Sequence, residues 1–457
     1  MDDGLMTKWG KIQDVKTASE SSLSVGSGFS KNPDAYTAAK EAAQQALVGL
    51  NGKKPTLSYV FFSGDYDPQA LTKGLLEILK DTEFVGGMGG EVIYDDQVME
   101  KGVVVASIQS DFLHVGIASV DNASENSFEA AKKVTAEALS KISIDNYIDP
   151  YMQAQRLQGG NIRGIVKIPP YYIHVFVNGL KLPKMGEENK IILGISNVVG
   201  RQVPIWGGSF DPALEKLMDV GKYEIYSLHS GKVYKDGLIV IFTSTSVLYG
   251  YSMAHGAKKS GSIEVIGKVS SDGYILEEIS GQKPVEWYAK KLNMDKKKFI
   301  DSVMTLGITQ RWPIGMVDNL GNIIVRGGGI PTGKNGESLA YAAPLVEGAP
   351  IFLMDGDPKN LFDATNQIIN DIQNYTEETS APKLVLLTSC LTRKGVMKDQ
   401  FPKDLKKLKS GFGGSVLLGF TTGGEIGSKE GDLANCHHLT NNVFVFYNKL
   451  LINKKAK

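Results

Sequence analysis

Cysteine is scarce in this 457-residue chain. Cys390 and Cys436 are the only two, which excludes an extracellular framework built on disulfides. Excess charge is lacking as well: Lys plus Arg and Asp plus Glu number 50 each, so the net charge draws the chain neither to nucleic acid nor to an anionic membrane. No run is long and apolar enough to cross a bilayer. The most apolar stretch, GLIVIFTSTSVLYGY from Gly237, is short and rich in hydroxyls. The opening MDDGLMTKWGKIQDVK is polar and acidic where a signal peptide needs a basic start and an apolar core. A cytoplasmic protein is expected. G-x-S-x-G, H-E-x-x-H and a helix-opening G-x-G-x-x-G are missing, so no hydrolase, zincin or dinucleotide constellation stands out.

What the chain does have is a glycine-rich signature in three copies: VGGMGGEV from Val85, IWGGSFD from Ile205 and LLGFTTGGEIG from Leu417. Each leaves on an acid, namely Glu91, Asp211 or Glu425. Before each lies a run suited to a buried strand: LSYVFFS from Leu57, YYIHVFV from Tyr171 and KLVLLTS from Lys383. Before each strand lies a helix with an N-cap signature, opening at Asn32, Asn126 and Asp357. The expected fold is α/β, with mixed sheets built from three repeated helix–strand–helix–strand–Gly-loop–hairpin units in two modules. An apolar content of 42% and a charged content of 22% suit an ordinary globular protein of that size.

Taken in order, residues 1–21 read as a leader, and VGSGFS from Val25 as a strand end and glycine turn. VVVASIQS and FLHVGIASV read as strands, and IDNYIDPYMQAQRLQGGNIRGIVKIPP as a long surface loop. EIYSLHSGKVYKDGLIVIFTSTS is expected to form two strands joined by a turn at Lys235, Asp236 and Gly237, and the hairpin of each unit to return to its own sheet. A first module is expected over residues 22–269, a second over 270–447, and a basic tail over 448–457. In the second, a helix should begin near Pro284, and DNLGNIIVRGGG should form a hairpin turning at Asp318 to Asn322.

Two near-motifs fail on inspection. GGIPTGKN from Gly328 matches a phosphate-binding loop until Asn335 replaces the Ser or Thr, and no helix follows, so a hairpin is expected. NCHHLT from Asn435 sets Cys436 beside His437 and His438 with no partner pair at zinc spacing, so packing is the expected role. His114, His174, His229 and His255 are isolated, the first two within strands.

The candidate ligand-binding residues are polar groups at loops expected near strand ends: Arg326, Cys390, Arg393, Gly423, Gly424 and Glu425, with Gly86, Gly87 and Glu91. An arginine grips a carboxylate, an acid takes an amine, and glycine amides meet anionic oxygens, a mixture suited to an amino acid or similar small polar metabolite. A rival expectation makes Cys390 a nucleophile with Arg393 lowering its pKa; a third is a partner-binding scaffold.

Across both halves the chain resembles the FIST domain proteins. The resemblance rests on VGGMGGE, FFSGDYDPQ at Phe61, AHGAKKSG at Ala254, the block from Arg311 to Arg326, PLVEGAPIFLM at Pro344, SCLTRKG at Ser389, and LLGFTTGGEIG with NCHHLT. It implies FIST-N and FIST-C portions and a small-ligand sensory role in signal transduction; one branch of the family resembles a haem-based nitric oxide sensor. Arg326, Cys390, Arg393, Gly423, Gly424 and Glu425 fall on the family pattern, while Thr392 stands where the family commonly shows Gly. No transmitter segment is expected after Lys457, so output is expected to pass to a separate signalling partner. Neither cofactor nor metal is expected.

Overall fold

The computed structural model describes residues 22–146, 168–179, 186–217, 222–318, 320–333 and 335–451. The expected leader, residues 147–167 of the long loop and the residues after 451 lie outside them.

The chain runs three times through strand, helix, strand, helix, strand, hairpin, strand. The first passage comprises β1 (Ser24–Ser30), α1 (Ala35–Gly49), β2 (Leu57–Ser63), α2 (Pro68–Leu79), β3 (Phe84–Met88), the hairpin β4 (Val92–Tyr94) and β5 (Gln97–Met99), and β6 (Gly102–Gln109). The second comprises β7 (Leu113–Val120), α3 (Ser127–Ser140), β8 (Tyr171–Asn178), α4 (Glu188–Val199), β9 (Ile205–Phe210), β10 (Ser227–His229), β11 (Lys232–Tyr234) and β12 (Leu238–Thr245).

The third opens with β13 (Val247–Ala254) and then takes in β14 (Lys258–Val269), β15 (Ile275–Ile279), α5 (Pro284–Lys291), α6 (Lys296–Leu306), β16 (Ile314–Val317), β17 (Ile323–Arg326), β18 (Gly328–Thr332), β19 (Ser338–Tyr341) and β20 (Pro350–Asp355). It resumes with α7 (Pro358–Thr376), β21 (Leu384–Cys390), α8 (Leu391–Met397), α9 (Phe401–Gly411), β22 (Val416–Thr422), β23 (Glu425–Gly427), β24 (Asn435–His437) and β25 (Asn441–Leu450).

Local chemistry explains the helices. Asp34, Asp67, Asn126 and Asp357 cap α1, α2, α3 and α7 with their side chains, and Pro68 and Pro358 sit in first turns where no amide partner is lost. The buried face of α1 is all alanine, Ala35, Ala38, Ala39, Ala42, Ala43 and Ala46, so β1 comes very close. A Cβ on Gly26 would lie 1.9 Å from the Ala46 carbonyl oxygen. VGSGFS is therefore strand rather than turn, its glycines required by the helix above them.

Each six-stranded sheet has the same order: β1-β6-β2-β3-β10-β11, β7-β12-β8-β9-β23-β24 and β13-β25-β21-β22-β4-β5. In each, one parallel pair carries a glycine packed against the neighbouring strand. A Cβ on Gly86, Gly207 or Gly419 would lie 1.6, 1.8 or 2.0 Å from the carbonyl oxygen of Val60, Val175 or Leu387. The hairpins do not return to their own sheets, contrary to expectation. β4 pairs with β22, β10 with β3 and β23 with β9, so each of these sheets is completed by a hairpin from another passage of the chain. The second hairpin turns at Ser230 and Gly231, both with positive φ, and not at Lys235 to Gly237, which links two sheets.

The inner faces of the three sheets share one aromatic core, where Phe61 of β2 lies 4.6 Å from Phe420 of β22 and 5.7 Å from Phe176 of β8, centroid to centroid. Helices α1 and α2, α3 and α4, and α7 to α9 cover the outer faces. The seven-stranded sheet β17-β16-β20-β14-β15-β19-β18 has its own core with α5 and α6 around Trp287, Tyr288 and Phe299. GGIPTGKN contributes to the β18–β19 hairpin, as its sequence context required.

Candidate functional site

Five of the expected site residues, Cys390, Arg393, Gly423, Gly424 and Glu425, gather at the ends of β21 and β22, but they face the protein. Cys390 ends β21 and is buried; desolvation and the neighbouring Glu425 carboxylate raise its thiol pKa, and its Sγ lies 3.0 Å from Thr392 Oγ1. Arg393, fully buried, donates from Nε and Nη2 to Asp404 Oδ2 at 3.1 and 2.9 Å and from Nη1 to the carbonyl oxygens of His255 and Leu439. Its charge is therefore matched to Asp404, and the Cys390 thiol is pushed up rather than down. The nucleophile reading loses its activating group.

Arg326, 3% exposed, donates from Nη1 to the Cys436 carbonyl at 2.8 Å, while its Nε has no partner among the described residues. Glu425 accepts through Oε2 from the backbone amide and hydroxyl of Thr440 at 3.2 and 2.6 Å, and burial pushes its carboxyl up. The glycine amides meet protein groups rather than a free anion: Gly423 N donates to Asp211 Oδ2 at 2.8 Å, and Gly424 N to Thr422 Oγ1 at 3.2 Å. Glu91 is buried against the same strand ends, held by Lys394 of α8 and Thr421 of β22. Gly86 lies within β3 against Val60, and Gly87 under the Phe210 ring, where close packing demands them. The sequence pointed to these groups as polar residues on loops near strand ends; in the structure Arg326, Arg393, Glu425 and Glu91 each have a protein partner.

A cleft of about 230 Å³ lies directly beside this buried group. Its wall is made by His255 and Lys258 after β13, Asp318 and Asn322 at the β16–β17 turn, Gln367 of α7, and Lys429, Asp432, His437 and Thr440 from the segment between β23 and β25. Thr440 belongs to both layers, lining the cleft and holding Glu425. Asn322 Nδ2 donates to Asp318 Oδ2 at 3.3 Å and to Asp432 Oδ1 at 3.1 Å, which gathers two carboxylates on one side. Burial raises the Asp432 pKa.

Burial pushes His255 down to about 4 and His437 to about 3, so both imidazoles are neutral at pH 7. His255 Nδ1 has no partner among the described residues. Cleft-lining ammoniums, carboxylates, neutral imidazoles and amides together can satisfy both ends of a small dipolar molecule. Sequence reading missed His255, Gln367 and Asn322 as a group because they lie on three distant segments; AHGAKKSG, the Asp318 to Asn322 turn and NCHHLT were noted separately, with nothing to bring them together. Among the described residues no group of three or more His, Cys, Asp or Glu is arranged to hold a metal. His174 is fully buried, its Nδ1 2.7 Å from the Tyr59 hydroxyl and its ring packed on Tyr172, Trp206 and Phe444.

Comparison with known families matches residues 56–282 to the FIST N domain and residues 284–428 to the FIST C domain. The chain belongs to the FIST family. FIST domains are generally described as small-ligand sensory domains in signal transduction. No curated protein matches the chain. Among solved structures, cyanuric acid hydrolase from A. caulinodans aligns with 49% of this chain and 71% of its own at 10% identity and a TM-score of 0.26. Phosphoribosylformylglycinamidine synthase II from Thermotoga maritima aligns with 93% and 72% at 9% identity and a TM-score of 0.21. Scores this low carry no argument about fold or function. No helix among the described residues is long and apolar enough to cross a membrane.

Proposed function

We propose that this protein senses a small zwitterionic metabolite, of which an amino acid is the simplest case, in the cleft at Asn322, Gln367 and Thr440, and that it acts in the cytoplasm through a separate signalling partner. The observation that supports the reading most strongly is the gathering of both signs of charge in one cleft. Asp318 and Asp432 stand together on Asn322, Lys429 lies 3.9 Å from Asp432 Oδ2, and Lys258 brings a further ammonium to the same cavity. A ligand ammonium is directed to the two acids, and a ligand carboxylate to the lysines, with Gln367 and the His255 imidazole offering neutral contacts.

The route outward begins at Thr440. Its hydroxyl holds Glu425, whose strand β23 pairs with β9, so a shift of the cleft wall would move a hairpin shared between the FIST N and FIST C portions.

Thermal unfolding against a panel of amino acids, nucleotides and small carboxylates tests the reading. A ligand at a hundred times its Kd adds ~2.7 kcal/mol to the folded state. Stabilisation by amino acids, lost in folded Asn322→Ala and Gln367→Ala proteins, is the expected result. A panel with no stabilising member, or an effect that survives both substitutions, would overturn it.

A further inference from the structure

A second cavity, of about 250 Å³, lies at the end of β8. It takes in Ala123 and Ser124, which follow β7 as Ala257 and Lys258 follow β13 at the first cleft, so the two spaces occupy corresponding places on the second and third sheets. Such positions, beyond the carboxyl ends of strands, are where open sheets receive ligands.

Three buried polar atoms in its wall have no hydrogen-bond partner among the described residues; one of them, Glu187 Oε2, is met by the Lys190 ion pair at 2.8 Å, and the other two are neutral. Ser127, in the first turn of α3 and 3% exposed, has a hydroxyl with no partner among the described residues. Asn178, the last residue of β8, donates through Nδ2 to the Ile225 carbonyl at 2.9 Å, which leaves its buried Oδ1 without a donor. Unmet polar atoms are uncommon in a folded interior, and two in one cavity wall ask for a visitor that supplies both a donor and an acceptor.

The charged groups of the wall are already engaged. Glu187 pairs with Lys190 at 2.8 Å, Lys235 lies 3.9 Å from Glu224, and Asp236 Oδ2 accepts from the Ser124 amide and hydroxyl. A charged ligand would therefore compete with ion pairs or hydrogen bonds already formed among the described residues. Val177, Ile191 and Ile225 complete the wall with branched apolar surface.

We propose that this cavity is a second ligand site, selective for a small neutral molecule that carries a primary carboxamide on a branched apolar body. The amide N–H donates to Asn178 Oδ1, the amide oxygen accepts from the Ser127 hydroxyl, and the hydrocarbon packs on Val177, Ile191 and Ile225. A carboxylate lacks the donor at neutral pH, and an ammonium lacks the acceptor.

Isothermal titration of the full chain with isobutyramide, isobutyrate and isobutylamine tests this. Saturable one-to-one binding of isobutyramide is expected, with the other two weaker by about tenfold, and about a fivefold loss of amide affinity in Ser127→Ala and in Asn178→Ala. Ser127→Ala removes an oxygen that has no hydrogen-bond partner among the described residues, so it tests the site even if Asn178→Ala fails to fold. The proposal is overturned if isobutyramide shows no saturable binding, if isobutyrate or isobutylamine binds as tightly, or if folded Ser127→Ala binds the amide like the parent protein.

Discussion

Arg393 and Asp404 face each other with no solvent exposure on either side chain, Nη2 2.9 Å and Nε 3.1 Å from a single carboxylate oxygen. Thr365 and Asn441 complete the carboxylate's bonds, and the guanidinium's remaining donors reach carbonyls of His255, Leu361 and Leu439. One pair thus joins α7, α8, α9 and the start of β25 behind the first cleft. Removing either partner strands a buried charge.

Arg393→Ala is therefore expected to lower stability by about 3–5 kcal/mol, while the volume-conserving double change Arg393→Met with Asp404→Leu recovers much of the loss. Urea unfolding at pH 7 measures both. A single-substitution cost below about 1 kcal/mol would mean that water reaches the site.

The strand glycines give a second prediction. Gly86→Ala, Gly207→Ala and Gly419→Ala each drive a methyl group into the carbonyl of the strand alongside. Backbone cannot yield as a flexible side chain can, so a loss of ~3 kcal/mol or more is expected for each. Denaturant midpoints of the three variants should fall together. A mild effect at one would show that its parallel pair can open without disturbing the other two sheets.

These glycines also show how far the sequence could be read. Caps at Asp34, Asn126 and Asp357 and the runs at Leu57, Tyr171 and Leu384 carry local signals, so helices and strands were legible. Gly26 was not, because its reason is an alanine face elsewhere on the chain. Nor was the exchange of hairpins: the pairing of Val92 with Phe420 spans most of the protein and depends on how three sheets close around one core. Arg326, Arg393 and Glu425 were legible as unusual but not as buried, since a sequence shows a charged residue without showing the partner that absorbs it.

Thiol chemistry separates the binding reading from the nucleophile reading. Burial, with Glu425 beside Cys390 and Glu188 near Cys436, pushes both thiols up. Iodoacetamide at pH 7.5 is expected to leave both unlabelled in the native protein under conditions that alkylate both in urea, as read by mass spectrometry. Rapid labelling of Cys390 alone would restore it as a reactive group.

Glu188, 4% exposed at the start of α4, carries the pH dependence most open to test. Burial first, then the charge of Asp211, raises its carboxyl from 4.5 to about 7. Between those values the native chain holds a proton that the unfolded chain has released. The stabilising contribution is therefore complete below pH 4.5 and is lost as pH rises toward 7, at up to about 1.4 kcal/mol per unit. The neutral histidines act in the opposite direction below 6.5, since His255 and His437 are pushed down to about 4 and about 3. A comparison with Glu188→Gln cancels that term, because both proteins share it. Relative to the parent, the variant is expected to gain about 2–3 kcal/mol between pH 5 and pH 8, measured by urea unfolding at unit intervals. A difference that stays flat across that range would mean that Glu188 is ionised throughout, with Asp211 or a neighbour holding the proton instead.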